Sequence, residues 1–372
     1  PAEMFVDDAR AVLDVVRAGA DEAERLRRLP TSTVTALGEA GLFTMCLPAA
    51  YGGTGEGPVG LLDATIELAR ADGAAGWCAS IASTTSSLAA FVEPDVARTV
   101  YTSPQVPTGG VFAPNGTGDI VNGVHRVTGR WQWGSGTQHS EWIVGGFRAG
   151  DGTQRVGFFR ADQVTFHDTW HTSGLRGTGS LDFSVEAADV EDDFAYIVGA
   201  PQRVEEPVAR FPNFTLLALG VSSSALGIAR RALDELIEVA EGKKPQYSTR
   251  TLAESSFTQS EFSRAEGRWR AARAYLRDEV GAAWESAVEG GHVSVGQRVA
   301  IRLAAAHAVT ESVAATTAAW QLAGGTAVYD TSILGRCLRD VNVVTQHIMV
   351  APKLHETLGK HLLGADFNPA MI

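Results

Sequence analysis

The feature that most constrains this chain is a double change of hydrophobic period. Residues 1–105 carry apolar side chains at helical spacing. Val12, Val15, Val16, Ala20 and Ala23 form one stripe, and Val34, Leu37 and Leu42 another. Between about 106 and 205 the period falls to two. In HRVTGRWQWGSG, Val127, Gly129, Trp131 and Trp133 alternate with Arg126, Thr128, Arg130 and Gln132. The runs SEWIVGGF, QRVGFFR and LDFSVE repeat that signature. From 206 to 372 the helical period returns, most cleanly at Val299, Leu303, Ala306, Thr310, Val313, Thr317 and Trp320.

Three regions follow: an N-terminal helical domain over 1–105, a small antiparallel barrel or sandwich over 106–205, and a C-terminal helical bundle over 206–372. Gly41 to Gly57 holds Pro48 and five glycines and reads as a loop, after which Pro58 opens a helix at a favoured position. Some bundle stripes are broad enough for burial on two sides, which implies helix packing between subunits.

Composition excludes several classes. The 372 residues carry a net charge of −12, and no basic stripe offers itself to nucleic acid. No apolar run reaches the roughly 18 residues of a bilayer span. The three cysteines, Cys46, Cys78 and Cys337, are too scattered for a disulfide framework or a CxxC site. With an acidic, amphipathic N-terminal stretch, they make a cytoplasmic location the expectation.

No strand-GxGxxG-helix unit, no GxxxxGK[ST] and no GxSxG elbow is present. His167 and His171 are four apart but lack the HExxH pattern of a helical metal site. The informative segments are GRWQWGSG, GLRGTGS and AGGTAVYDTSILGRCLRDVNVVTQH. Trp131 and Trp133 fall on one face of a regular strand ending at Gly134-Ser135-Gly136. Two aromatics there either wall a flat ring or fill a barrel core, and the pattern admits both. Ser135 is a turn residue or a hydrogen-bonding group by the same choice. His347 precedes an apolar run and Pro352; a lone histidine so placed is more often structural than chemical.

Taken together, YGG near residue 52, GLRGTGS at 174–180, QLAGGTAVYD at 321–330 and GRCLRD at 335–340 resemble the acyl-CoA dehydrogenase superfamily over about 26–363, which implies its fold of an N-terminal α-helical domain, a central antiparallel β-barrel and a C-terminal four-helix bundle. Within it, the segment from Trp131 to Gly136 is similar to the W-x-[FW]-x-S-G of the two-component flavin-dependent monooxygenases. This branch includes dibenzothiophene monooxygenase, 4-hydroxyphenylacetate 3-hydroxylase and nitrososynthases. The loop that carries the catalytic glutamate of many dehydrogenases reads Val344-Thr345-Gln346-His347 here, and Phe214–Leu226 contains no acid. A dehydrogenase needs a desolvated carboxylate to take a proton from carbon, and imidazole is a poorer base for that task.

The resemblance implies a reduced flavin, FMN or FAD, supplied by a separate flavin reductase and reacting with dioxygen through a C4a-hydroperoxide to oxygenate a small-molecule substrate. It implies Ser135 at flavin N5 and His347 as the substrate's base or as a proton donor. Trp131 and Trp133 would exclude water from the ring. Gln321, Gly324 and Gly325 match a segment that contacts cofactor across a subunit boundary, so a homotetramer is implied. The alternatives are an acyl-CoA dehydrogenase, with Glu356 as the nearest acid, and a non-catalytic scaffold of the same fold.

Overall fold

The computed structural model describes residues 4–369 and residue 372. Five helices come first: α1 (Met4–Leu26), α2 (Thr31–Glu39), α3 (Pro58–Ala71), α4 (Gly73–Ser86) and α5 (Pro94–Val100). Local chemistry sets their starts. Pro58 occupies the first turn of α3, where its missing N–H costs nothing. Asp72 caps α4 by accepting from the backbone N–H groups of Ala74 and Ala75. On α1 the buried positions are Phe5, Ala9, Val16, Gly19 and Ala23; Val15 faces out.

The strands are β1 (Thr108–Val121), β2 (Val124–Gly134), β3 (Trp142–Ala149), β4 (Gln154–Arg160), β5 (Thr165–His167), β6 (Leu181–Glu191) and β7 (Ala195–Ile197). They form one seven-stranded sheet in the order β5-β6-β2-β1-β3-β4-β7. The expectation of an all-antiparallel barrel is corrected on one pair: β1 and β3 run parallel. The reason lies in the connections. Asn122 and Gly123, both at positive φ, turn β1 back into β2 as a tight hairpin. The chain then crosses through residues 135–141 and re-enters beside β1 in its original direction. The sheet curls around its own core until Phe159 of β4 stands 5.7 Å from Trp131 of β2, centroid to centroid.

The last part holds α6 (Asn213–Gly242), α7 (Ser256–Val288), α8 (Val295–Ala323), α9 (Ile333–Val344) and α10 (Leu354–Leu362). Ser294 and Gln297 form a reciprocal capping box at the start of α8. One continuous apolar core joins α6–α9 to α1–α4, so the first and last regions share an interior, while Leu358 of α10 packs with Val299 of α8 in a separate small cluster. Asp63 of α3 ties them further, accepting from Arg273 at 2.6 Å and Arg277 at 3.1 Å on α7. Among the described residues, α6 alone is long and apolar enough to cross a membrane, and 89% of that window is buried inside the molecule.

Candidate active site

Ser135, Trp77 and His347 come together from three separate elements. Ser135 follows β2, and its hydroxyl is buried at 7% exposure. Trp77 lies on α4, one turn after its Asp72 cap, and donates its indole N–H to Ser135 Oγ at 2.9 Å. His347 follows α9, and its ring stands edge-on to Trp77 with centroids 5.5 Å apart. The sequence pattern marked Ser135 and His347 but missed Trp77, whose only signal was its spacing from Asp72.

His347 is held as a neutral ring. Burial, reinforced by the nearby Arg302 guanidinium, pulls its pKa down to about 4. Its Nδ1 accepts from the backbone N–H of Met349 at 3.3 Å. The partner thereby assigns the proton to Nε2. In this arrangement the Nδ1 lone pair is engaged and Nε2 presents an N–H.

The two tryptophans part company. Trp131 is fully buried in the sheet core, stacked on Phe183 at 5.1 Å, with its N–H donated to the carbonyls of Gly146 and Ala113. It fits there because Gly129 and Gly145 face it; a Cβ on either would stand under 3 Å from the indole. Trp131 therefore walls no flat ligand, contrary to expectation. Trp133 is turned outward instead, at φ +67° and 67% exposure. The cause is an irregularity: the four residues of β2 from Trp131 to Gly134 lie opposite only three of β6, Phe183 to Leu181, which breaks the alternation.

Ser135 also meets the GLRGTGS turn. Its Oγ lies 2.7 Å from that of Ser180, which lies 2.7 Å from Thr178 Oγ1. Thr178 donates in turn to the Leu175 carbonyl at 2.8 Å. Leu175 itself sits at φ +48°, an uncommon conformation for a branched residue. It is held there by Asp340, whose Oδ1 accepts the Leu175 N–H at 2.7 Å. The hydroxyls of Thr84, Thr85, Ser86 and Ser87 donate to carbonyls three or four residues back, so that run is a packed helix end.

Gln321, Gly324 and Gly325 lie exposed at the C-terminal end of α8. Lys243 caps that end by donating to the Ala323 carbonyl and to Thr326 Oγ1. Arg302, near the other end of α8, donates to Met349 O at 3.1 Å, beside His347. Nineteen residues of helix separate Arg302 from Gln321, about 28 Å of rise. Glu356, the acid considered for a dehydrogenase, is exposed on α10 and paired with Lys360 at 2.7 Å. Among the described residues no cluster of three or more metal-binding side chains occurs.

Comparison with known proteins now decides the branch. The N-terminal domain of the acyl-CoA dehydrogenases matches residues 2–97 and their C-terminal domain matches 219–352. An indole-3-acetate monooxygenase from Pseudomonas putida is 31% identical over 97% of this chain and 95% of its own. This chain belongs to the flavin-dependent monooxygenase branch of the acyl-CoA dehydrogenase superfamily. An FADH(2)-dependent resorcinol hydroxylase, oxygenase component, from Rhizobium is 26% identical over 98% of this chain and 95% of its own. The crystal structure of 3-HSA hydroxylase from Rhodococcus sp. RHA1 superposes with a TM-score of 0.93 at 26% identity, covering all of both chains. The monooxygenase uses a reduced flavin. The site fits that group: a buried hydroxyl and a neutral imidazole meet on the Trp77 indole where β2 meets the helices, and the exposed Trp133 lies two residues before that hydroxyl.

Proposed function

We propose that this monooxygenase is the oxygenating component of a two-component system. It takes reduced flavin from a separate reductase and oxygenates a small aromatic substrate. The observation that carries this reading is the convergence of Ser135 and His347 on Trp77, with no carboxylate among the hydrogen-bond partners described for the three. An aromatic substrate is supported by the relatives' names, which include indole-3-acetate, resorcinol and p-hydroxyphenylacetate.

Reduced flavin supplies the electrons that activate dioxygen, one oxygen atom going to substrate and the other to water. The rest falls to the chain's own groups. Ser135 and Trp133 would hold the flavin, Ser135 by a hydrogen bond at N5 and Trp133 by excluding water from the ring. The His347 Nε2–H donates to an oxygen in the site, a preorganised dipole where charge develops. The surrounding helices exclude water, which protects against wasteful peroxide release.

The exposed segment at the end of α8 enters differently. Gln321 lies about 28 Å along the helix from Arg302, with Gly324 and Gly325 just past the helix end, so the three would serve the flavin held by another copy. A homotetramer places them there and also covers Val328 and Tyr329, which are 68% and 70% exposed in the single chain.

The test supplies reduced flavin, labelled dioxygen and an aromatic panel containing indole-3-acetate and simple phenols. Label in a hydroxylated product is the expected result. Peroxide release alone with every member, or flavin bleaching by acyl-CoA thioesters, would overturn the proposal.

A further inference from the structure

Ser135, Ser180 and Thr178 form a file of hydrogen bonds closed at both ends by groups of fixed direction. At one end stands the Trp77 Nε1–H, which only donates, 2.9 Å from Ser135 Oγ. At the other stands the Leu175 carbonyl, which only accepts, 2.8 Å from Thr178 Oγ1. The two inner links, Ser135 to Ser180 and Ser180 to Thr178, are both 2.7 Å. Each hydroxyl owns one proton. The Leu175 link uses that of Thr178. The Thr178–Ser180 link then requires the proton of Ser180, and the Ser180–Ser135 link requires that of Ser135. Ser135 Oγ is left with no proton to offer, one lone pair engaged by Trp77 and one lone pair free.

We propose that Thr178 and Ser180 are positioning residues that make Ser135 an obligate acceptor and thereby select the redox state of the bound flavin. This rests on the reading that Ser135 faces flavin N5. Reduced flavin carries an N–H at N5, whereas oxidised flavin carries a lone pair there. An acceptor-only Ser135 attracts the first and opposes the second. The selection suits a component that receives its flavin already reduced, because spent oxidised flavin is released rather than retained. All three hydroxyls are at least 93% buried, so bulk water does not reset their directions.

The test measures anaerobic dissociation constants for reduced and oxidised flavin, and from their ratio the shift in potential of bound flavin. Thr178→Val keeps the shape of the side chain but removes the acceptor of the Ser180 proton. Ser180 then turns to donate to Ser135, and the Ser135 proton is driven toward N5. The preference for reduced over oxidised flavin is expected to fall about tenfold or more, the worth of one hydrogen bond exchanged for a mismatch. Ser180→Ala frees the same proton and is expected to tighten oxidised flavin while sparing reduced flavin. Ser180→Thr restores the wild-type ratio. Ser135→Ala weakens reduced flavin and makes the two redox states bind alike. If Ser135→Ala alters neither affinity, the reading that Ser135 meets flavin fails. If Ser135→Ala shifts the ratio while Thr178→Val and Ser180→Ala both keep the wild-type value, the selection by Thr178 and Ser180 is overturned.

Discussion

Trp77 and His347 meet edge to face, with ring centroids 5.5 Å apart and planes at 71°. The same indole gives its N–H to Ser135. One side chain on α4 therefore sets the distance between the group assigned to the flavin edge and the group assigned to oxygen. Asp72 anchors the start of that helix through two backbone N–H groups, so α4 carries both contacts on a capped, fully buried element.

His347 has its pKa pulled from 6.5 down to about 4 by burial and the Arg302 guanidinium. It is expected to remain a neutral donor across the working range, so the acid limb of kcat/KM that belongs to it lies near 4. His347→Ala is expected to lower product formation about 10²–10³-fold, as for loss of one preorganised donor, while flavin still binds. The checks are a pH–rate profile and the ratio of peroxide released to product formed. A limb near 6.5 that vanishes in the variant would count against the neutral-donor role.

The two tryptophans separate stability from binding. Trp131→Ala empties a filled core position and is expected to cost about 3–5 kcal/mol of stability. Trp133→Ala removes an exposed ring, with a stability change within about 0.5 kcal/mol but weaker flavin binding. Thermal melts and flavin titrations on both variants check this. Unchanged flavin affinity in Trp133→Ala would remove it from the ring wall.

This pair also marks how far the sequence was legible. Long stripes such as the one from Val299 to Trp320 reported that α8 is a helix but not which face it buries: of that stripe only Val299 and Ala306 are buried, and the covered face runs through Ala304, Ala308, Ala315 and Ala319. The alternation around Trp131 placed a strand equally well. The irregularity between Trp131 and Gly134 was not legible, since the residue at positive φ is a tryptophan rather than a glycine. The parallel β1–β3 pair was hidden for a similar reason: direction is set by a crossing, not by a periodic pattern. Ser135 and His347 stood out through motif resemblance, whereas Trp77, Thr178 and Ser180 emerge only when α4 and the GLRGTGS turn are brought against Ser135.

The proposed sharing of the site between copies predicts complementation. Gly324 adopts φ +61° and ψ −148°, a region essentially restricted to glycine. Gly324→Ala is therefore expected to distort the turn after Gln321 and weaken flavin binding. His347→Ala disables the other component. If the two lie in one site contributed by two copies, subunits dissociated and reassembled as a mixture are expected to regain activity beyond either variant alone. Activity no higher than the average of the separate variants would place both functions within one copy.

Asp340 provides a pH dependence of folding with a defined sign. It is buried, and burial raises its carboxyl from 3.8 to about 7, against the lowering effect of the hydrogen bond from Leu175. The unfolded chain thus loses this proton at lower pH than the folded protein does. Between about 4 and 7 the folded state binds more protons, so its stability falls as pH rises through that window. The effect is fully present as stabilisation below the unfolded value and is lost above the folded one. Asp72, raised to about 6 by the same cause, adds a similar slope. His347 and His139, both lowered to about 4, oppose it between about 4 and 6.5. Asp340→Asn keeps an oxygen for the Leu175 N–H but cannot ionise. Melting temperature measured against pH is expected to decline less between about 6 and 8 in Asp340→Asn than in the wild type, because the cost of a buried charge is gone. Asp340→Ala removes the acceptor as well, leaving the Leu175 N–H unpaired at a strained position, and is expected to be destabilised at every pH. Parallel curves for the wild type and Asp340→Asn would show that Asp340 does not titrate with folding.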